Sequence, residues 1–157
     1  MGNETGPTDA ASTAPDESGV VHGNAHGKVR IRVIQNILRV DISGEPEGEA
    51  LTGSFREALA GGLLRMSMPT LVDLTGFIGG VDWTGIRTIA EMAPWGSPDQ
   101  RPSRVAYVTR NDWFAALLKL VSAIFPQSTH KQFNDVESGL RWPEASDNDR
   151  NTRRING

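Results

Sequence analysis

The stretch from Leu71 to Met92, LVDLTGFIGGVDWTGIRTIAEM, decides the fold. Thr70 to Leu74 follows Pro69 as a short apolar strand. An Asp-containing turn and the Gly79–Gly80 pair come next, and Asp82-Trp83-Thr84-Gly85 then opens a helix. Ile86, Ile89, Ala90 and Ala93 fall along one side of that helix, and Pro94 ends it. Thr84 stands where an N-cap belongs, its hydroxyl placed to accept an orphan backbone N–H. Strand, loop and amphipathic helix in this order form the crossover that a parallel sheet requires.

The pattern continues toward the C-terminus. After the Pro/Gly/Ser/Asp-rich loop from Trp95 to Pro102, Arg104 to Thr109 is a strand, unbroken in apolar character from Val105 to Val108 and so expected to be buried on both faces. Asn111 is the expected cap of a helix with the apolar face Phe114, Leu117, Leu118, Val121 and Phe125, which Pro126 stops. Lys131 to Phe133 makes a final short strand. Asp135 is the expected cap of a last short helix containing Val136 and Leu140, ended by Pro143.

Toward the N-terminus the period changes to two. Lys28 to Gln35 alternates Val29, Ile31 and Val33 with Lys28, Arg30 and Arg32, and Ile37 to Ser43 alternates again. Asn36 lies between them, so the two runs form a hairpin. This first strand is expected at a sheet edge, where Arg30 and Arg32 would discourage further pairing. Glu49 to Arg65 carries Leu51, Phe55, Leu59 and Leu63 on one helical face, with Gly53, Gly61 and Gly62 weakening it. The order is ββαβαβα(β)α. It predicts an α/β fold with a mixed, mostly parallel sheet of four to five strands and about four helices.

Composition sets the limits. Of 157 residues, 38 % are apolar, against an ordinary ~45–50 %. Residues 1–27 hold four acids, no Lys or Arg and few large apolar groups, and are expected to be a disordered acidic tail. Residues 144–157 are expected to be a second disordered tail, leaving 28–143 as one domain with 13 basic and 12 acidic groups. Neither a signal peptide nor a bilayer-length apolar run is present in the sequence, which points to a soluble cytoplasmic protein. The absence of cysteine excludes disulfides, thiol nucleophiles and cysteine-based metal sites. A net charge of −3 gives no electrostatic case for nucleic acid.

Catalytic motifs are scarce. GxGxxG, GxxxxGK[ST] and GxSxG are all missing. Gly79–Gly80 is read as a plain loop and not as an anion cradle. His22 and His26 have i, i+4 spacing but fall in the tail, and His130 stands alone. Asp73 and Asp82 are the best carboxylate pair, near the strand-to-helix turn where open α/β sheets bind ligands. No cofactor and no metal site follow from any of this. Trp113 and Trp142 stand near helix ends as packing anchors. Trp83 and Trp95 flank one helix, and Trp83 is the one expected at a binding surface if either is exposed.

The central stretch resembles the core of the STAS domain, the fold of bacterial anti-sigma factor antagonists. The resemblance rests on Val72-Asp73-Leu74-Thr75-Gly76, against that family's apolar strand running into Asp-Leu-Ser/Thr-Gly, and on Asp82-Trp83-Thr84-Gly85, against its Asp-Ser-Ser-Gly. Arg104-Val105-Ala106-Tyr107-Val108, Trp113, Phe133 and Leu140-Arg141-Trp142 resemble the narrower SpoIIAA-like, or STAS/SEC14-like, small proteins. The resemblance spans about residues 28 to 143. It implies a non-enzymatic regulatory domain that binds an unidentified protein partner, such as an anti-sigma-type regulator. Thr84 falls at the position phosphorylated in the antagonists, and Asp82, Trp83, Gly85 and Arg87 form the candidate interaction surface. Thr replaces Ser there, and Trp83 replaces the first Ser. The alternative implied by the SEC14-like branch is a carrier of a small apolar ligand or lipid, with the helix from Trp113 to Phe125 lining its pocket. Third comes an enzyme using Asp73, Asp82 or His130. A homodimer is compatible with all three.

Overall fold

The computed structural model describes residues 19–65, 68–92 and 103–142. Six strands form one sheet: β1 Gly19–Gly23, β2 Gly27–Ile34, β3 Ile37–Gly44, β4 Thr70–Phe77, β5 Ser103–Val108 and β6 Ser128–Phe133. Three helices, α1 Gly48–Ala60, α2 Trp83–Met92 and α3 Phe114–Ile124, connect β3 to β4, β4 to β5 and β5 to β6. A fourth, α4, covers residues 136–142. Strand order in space equals order in sequence. β1, β2 and β3 pair antiparallel, and β3 to β6 pair parallel.

The α/β class and mostly parallel pairing are as the alternation predicts. The strand count of four to five is corrected to six. The added strand is β1, in a segment assigned above to the disordered tail. Val20 is buried in the core, and His22 bonds to Glu57 on α1, which ties the strand down from the helix side. So β2 is not an edge strand; β1 is. Residues 1–18, Trp95 with its loop, and residues 144–157 lie outside the described residues.

The hairpin from β2 to β3 turns on Gln35 and Asn36, both at positive φ (49° and 67°), with Ile34 opposite Ile37. Two left-handed residues are what a two-residue turn needs to match strand twist. Val29, Ile31, Leu38 and Val40 face α1 and are buried, while Arg30, Arg32, Arg39 and Asp41 face away from it. α1 stops at Gly61, and Gly62 follows at φ +71°, earlier than the extent to Arg65 expected above. All three crossover helices lie on one sheet face. α4 covers part of the other, where Val136, Leu140 and Trp142 pack on Leu71, Ala106 and Val108. β5 is accordingly covered from both sides.

The start of β2 passes under the loop leading to α1 with no room for a side chain. A Cβ on Gly27 would stand 2.2 Å from the backbone nitrogen of Pro46 and 2.5 Å from the carbonyl carbon of Glu45. Backbone atoms cannot turn aside as a side chain could. Gly27→Ala is therefore expected to cost about 2–3 kcal/mol, read as a lowered urea midpoint. Gly62→Ala meets no atom and faces only the positive-φ penalty, so it is expected to cost less.

Candidate functional site

β4 carries an extra residue that shapes the site. Asp41 of β3 pairs with Asp73, but Ser43 pairs with Gly76, so three steps on β4 oppose two on β3. The Asp73 carboxylate holds this bulge, accepting the Thr75 N–H at 3.0 Å and the Thr75 hydroxyl at 2.6 Å. Arg39 reaches the same carboxylate at 3.4 Å. A bulge reverses the in–out alternation beyond it. Phe77 consequently lands on the helix side with Val72 and Leu74.

Beyond the bulge the chain leaves the sheet at an apolar tip. Ile78 is 81 % exposed, and its N–H is held by the carbonyl of Gly44. Asp82 then caps α2. Its carboxylate accepts the Gly85 N–H at 3.0 Å, and its carbonyl accepts the Ile86 N–H. The capping role expected of Thr84 is thus corrected. Thr84 lies inside the first turn, exposed, and its hydroxyl makes no hydrogen bond among the described residues. Asp82 also touches α1. A Cβ on Gly48 or Gly85 would come within 2.5 and 2.6 Å of its Oδ2, so the two glycines leave room where both helix N-termini converge on one carboxylate.

Behind this segment lies an apolar cavity of about 180 Å³ between the sheet and the three helices. Val72 and Leu74 form its floor, Phe55 comes from α1, Ile86 from α2, and Leu117 and Val121 from α3. Its exposed lining residues, Glu47, Gly48, Gly80, Asp82 and Trp113, mark the mouth at the carboxyl ends of the strands. A second cavity of about 110 Å³ continues beyond Phe55, Val72, Ile89 and Phe125, which line both.

Tyr107 and His130 form a buried polar contact beside these cavities. The Tyr107 hydroxyl is 3.0 Å from His130 Nδ1, and His130 Nε2 is 3.1 Å from the Phe125 carbonyl. With Nε2 donating to the Phe125 carbonyl, the neutral ring accepts from the Tyr107 hydroxyl through Nδ1. Burial lowers its pKa below 6.5, opposed by the bond to Phe125, and burial raises that of Tyr107.

The residues considered for catalysis are not brought together. Asp73 faces away from the three helices, bound to Arg39 and Thr75. Asp82 lies at the cavity mouth, while His130 lines the second cavity. His22 and His26 lie on β1 and in the loop after it, not on a helix. Trp83 is half-buried against the cavity, whereas Trp113, expected to be a packing anchor, is the more exposed at 47 %. Trp142 packs on Phe133 and under Arg104, as an anchor should. Asn111 accepts the Phe114 N–H through its backbone carbonyl, so α3 is not capped by the Asn111 side chain. Asp135 does cap the last helix, accepting from the Ser138 N–H at 2.8 Å and its hydroxyl at 3.0 Å.

The chain matches no family model and no curated protein. Among solved structures it is similar to an uncharacterized DUF3478-family protein with a SpoIIAA-like fold from Shewanella loihica PV-4. That likeness has a TM-score of 0.51 at 20 % identity and covers 78 % of this chain and 98 % of that one. This chain folds as a SpoIIAA-like domain. A second similar structure is an anti-sigma factor antagonist from Mycobacterium paratuberculosis, 16 % identical over 83 % of this chain and 97 % of that one, with a TM-score of 0.44. In this SpoIIAA-like domain, no helix among the described residues is long and apolar enough to cross a membrane.

Sequence reasoning found Asp82 to Arg87 and, through the SEC14-like resemblance, a pocket lined by the helix from Trp113 to Phe125, but missed Ile78, Glu47 and the Tyr107–His130 contact. Phe77-Ile78 between Gly76 and Gly79 was the available signal, because two large apolar residues inside a glycine-punctuated loop have no local reason to be there.

Two predictions follow from this geometry. Asp82→Ala is expected to lower stability by about 1 kcal/mol and Thr84→Ala by under about 0.5 kcal/mol, measured by urea titration. Because burial lowers the His130 pKa in the fold, the unfolded chain takes up a proton there first as pH falls. Stability is then lost as pH drops from about 7 toward 5, and His130→Gln should flatten that part of the urea-midpoint profile.

Proposed function

We propose that this SpoIIAA-like chain is a non-enzymatic regulatory module of the cytoplasm that binds a partner protein through residues 78–87. The observation that carries this reading is the Ile78 tip, 81 % exposed beside the Asp82-capped start of α2. An apolar side chain held out by a rigid turn, next to polar groups at a helix start, suits an interface centre with a polar rim. Thr84 and Arg87 point outward on the first turn of that helix and are both exposed. A phosphate on Thr84 would gain from the helix dipole while adding negative charge at the surface. It would thereby repel an acidic partner without unfolding the domain.

The test is affinity capture from the native cell extract with wild type, Ile78→Asp, Thr84→Glu and, as a control on α4, Glu137→Ala. A partner held by wild type and Glu137→Ala but lost by Ile78→Asp and weakened by Thr84→Glu supports the reading. An identical capture profile from all four chains would overturn it.

The cavity favours a second reading, in which the domain holds a small apolar ligand. Val72, in a central strand and facing the helices, is only half-buried, while Val29, Ile31 and Val40 on neighbouring strands are buried completely or nearly so. The helix layer stands off the sheet where β4 lies, and an apolar molecule would occupy that space.

A further inference from the structure

We infer that the cavity selects its ligand by head group, accepting a neutral or cationic apolar molecule and rejecting an anionic one. The inference rests on the second reading above and names the ligand class. A cavity of about 180 Å³ is slightly larger than an engineered apolar cavity of about 150 Å³ that takes up benzene, so it fits one ring or a short alkyl chain. Phe55 and Phe125, which also line the cavity behind, close the inner end and bound the length.

Selection comes from the mouth. Of the described residues lining this cavity, only Glu47 and Asp82 carry charge, and both are exposed where a head group would emerge. Glu45 and Glu49 flank Glu47 in sequence and are exposed as well. At the start of α2 the Asp82 carboxylate takes the Gly85 N–H and the Asp82 carbonyl takes the Ile86 N–H. Inside, the Tyr107 hydroxyl is committed to His130. A carboxylate or phosphate head would meet the like charge of both carboxylates, an ammonium would meet two carboxylates, and a hydroxyl would stay in water at the rim.

The experiment uses the full chain with octanol, octylamine and octanoate, three probes of one tail length, followed by calorimetry and intrinsic tryptophan fluorescence at neutral pH. Octanol and octylamine are expected to bind. Octanoate is expected to bind roughly tenfold or more weakly, the scale of like-charge repulsion near a protein surface. The Glu47→Gln/Asp82→Asn double variant, which keeps a capping side chain at position 82, is expected to close most of the gap between octanoate and octanol. Ile86→Phe fills the cavity and should abolish binding of all three, with Leu117→Phe as a second filling variant if the first misfolds. Octanoate binding as well as octanol would overturn the head-group selection alone. Binding of none of the three would overturn the ligand reading with it.

Discussion

The arrangement of this domain depends on one topological constraint: three successive crossovers step in the same direction along the sheet. A parallel connection is right-handed almost without exception, because a twisted strand and a right-handed helix pack together only that way. When strand order in space follows order in sequence, every crossover helix must land on the same face. The sheet is therefore one-sided. α1, α2 and α3 crowd one face, and among the described residues the other carries α4 at the β4–β6 end.

The two faces show how differently a sheet can be finished. On the uncovered part over β2 and β3, charge replaces a helix. Arg32 and Arg39 bond to Asp41 at 3.0 and 2.9 Å, and Arg39 reaches on to Asp73. Each such pair is worth little at a wet surface, commonly under about 1 kcal/mol, but the set spans three strands and fixes their register. On the helix side the difficulty is the opposite one. Three short helices must cover a wide twisted surface, and α2 packs on α1 more than on the strands beneath it. The cavity is where that layer stops short.

Period-two and helical patterns made β2, β3, α2, α3 and their order legible in the sequence, because each is amphipathic and carries its own periodicity. β1 was not legible. GVVHG is five residues long with two glycines, and only Val20 has a buried partner face. It is a strand because β2 offers a pairing edge and Glu57 receives His22, both of which are tertiary facts. Thr84 was misassigned as the cap because Asp82-Trp83-Thr84 offers two capping residues two positions apart. The choice between them depends on where Gly48 leaves space for a carboxylate. The cavity was legible only through the SEC14-like resemblance for a related reason: its lining residues read as ordinary core positions, and only the separation of helices from sheet distinguishes a lined space from a filled one.

β1 also bears on where the folded unit begins. A fragment started at Lys28, the boundary that composition suggests, would lose all of β1 and the His22–Glu57 contact with it. β2 would then present a long, regular, half-apolar edge with its hydrogen-bonding groups unpaired, the geometry that recruits strands from other molecules. The short edge strand, with Val21 58 % exposed at its centre, acts as a cover slip over a stickier one. The glycine-rich segment ahead of β2 thus belongs to the folded unit, and trimming it would leave an edge open to self-assembly.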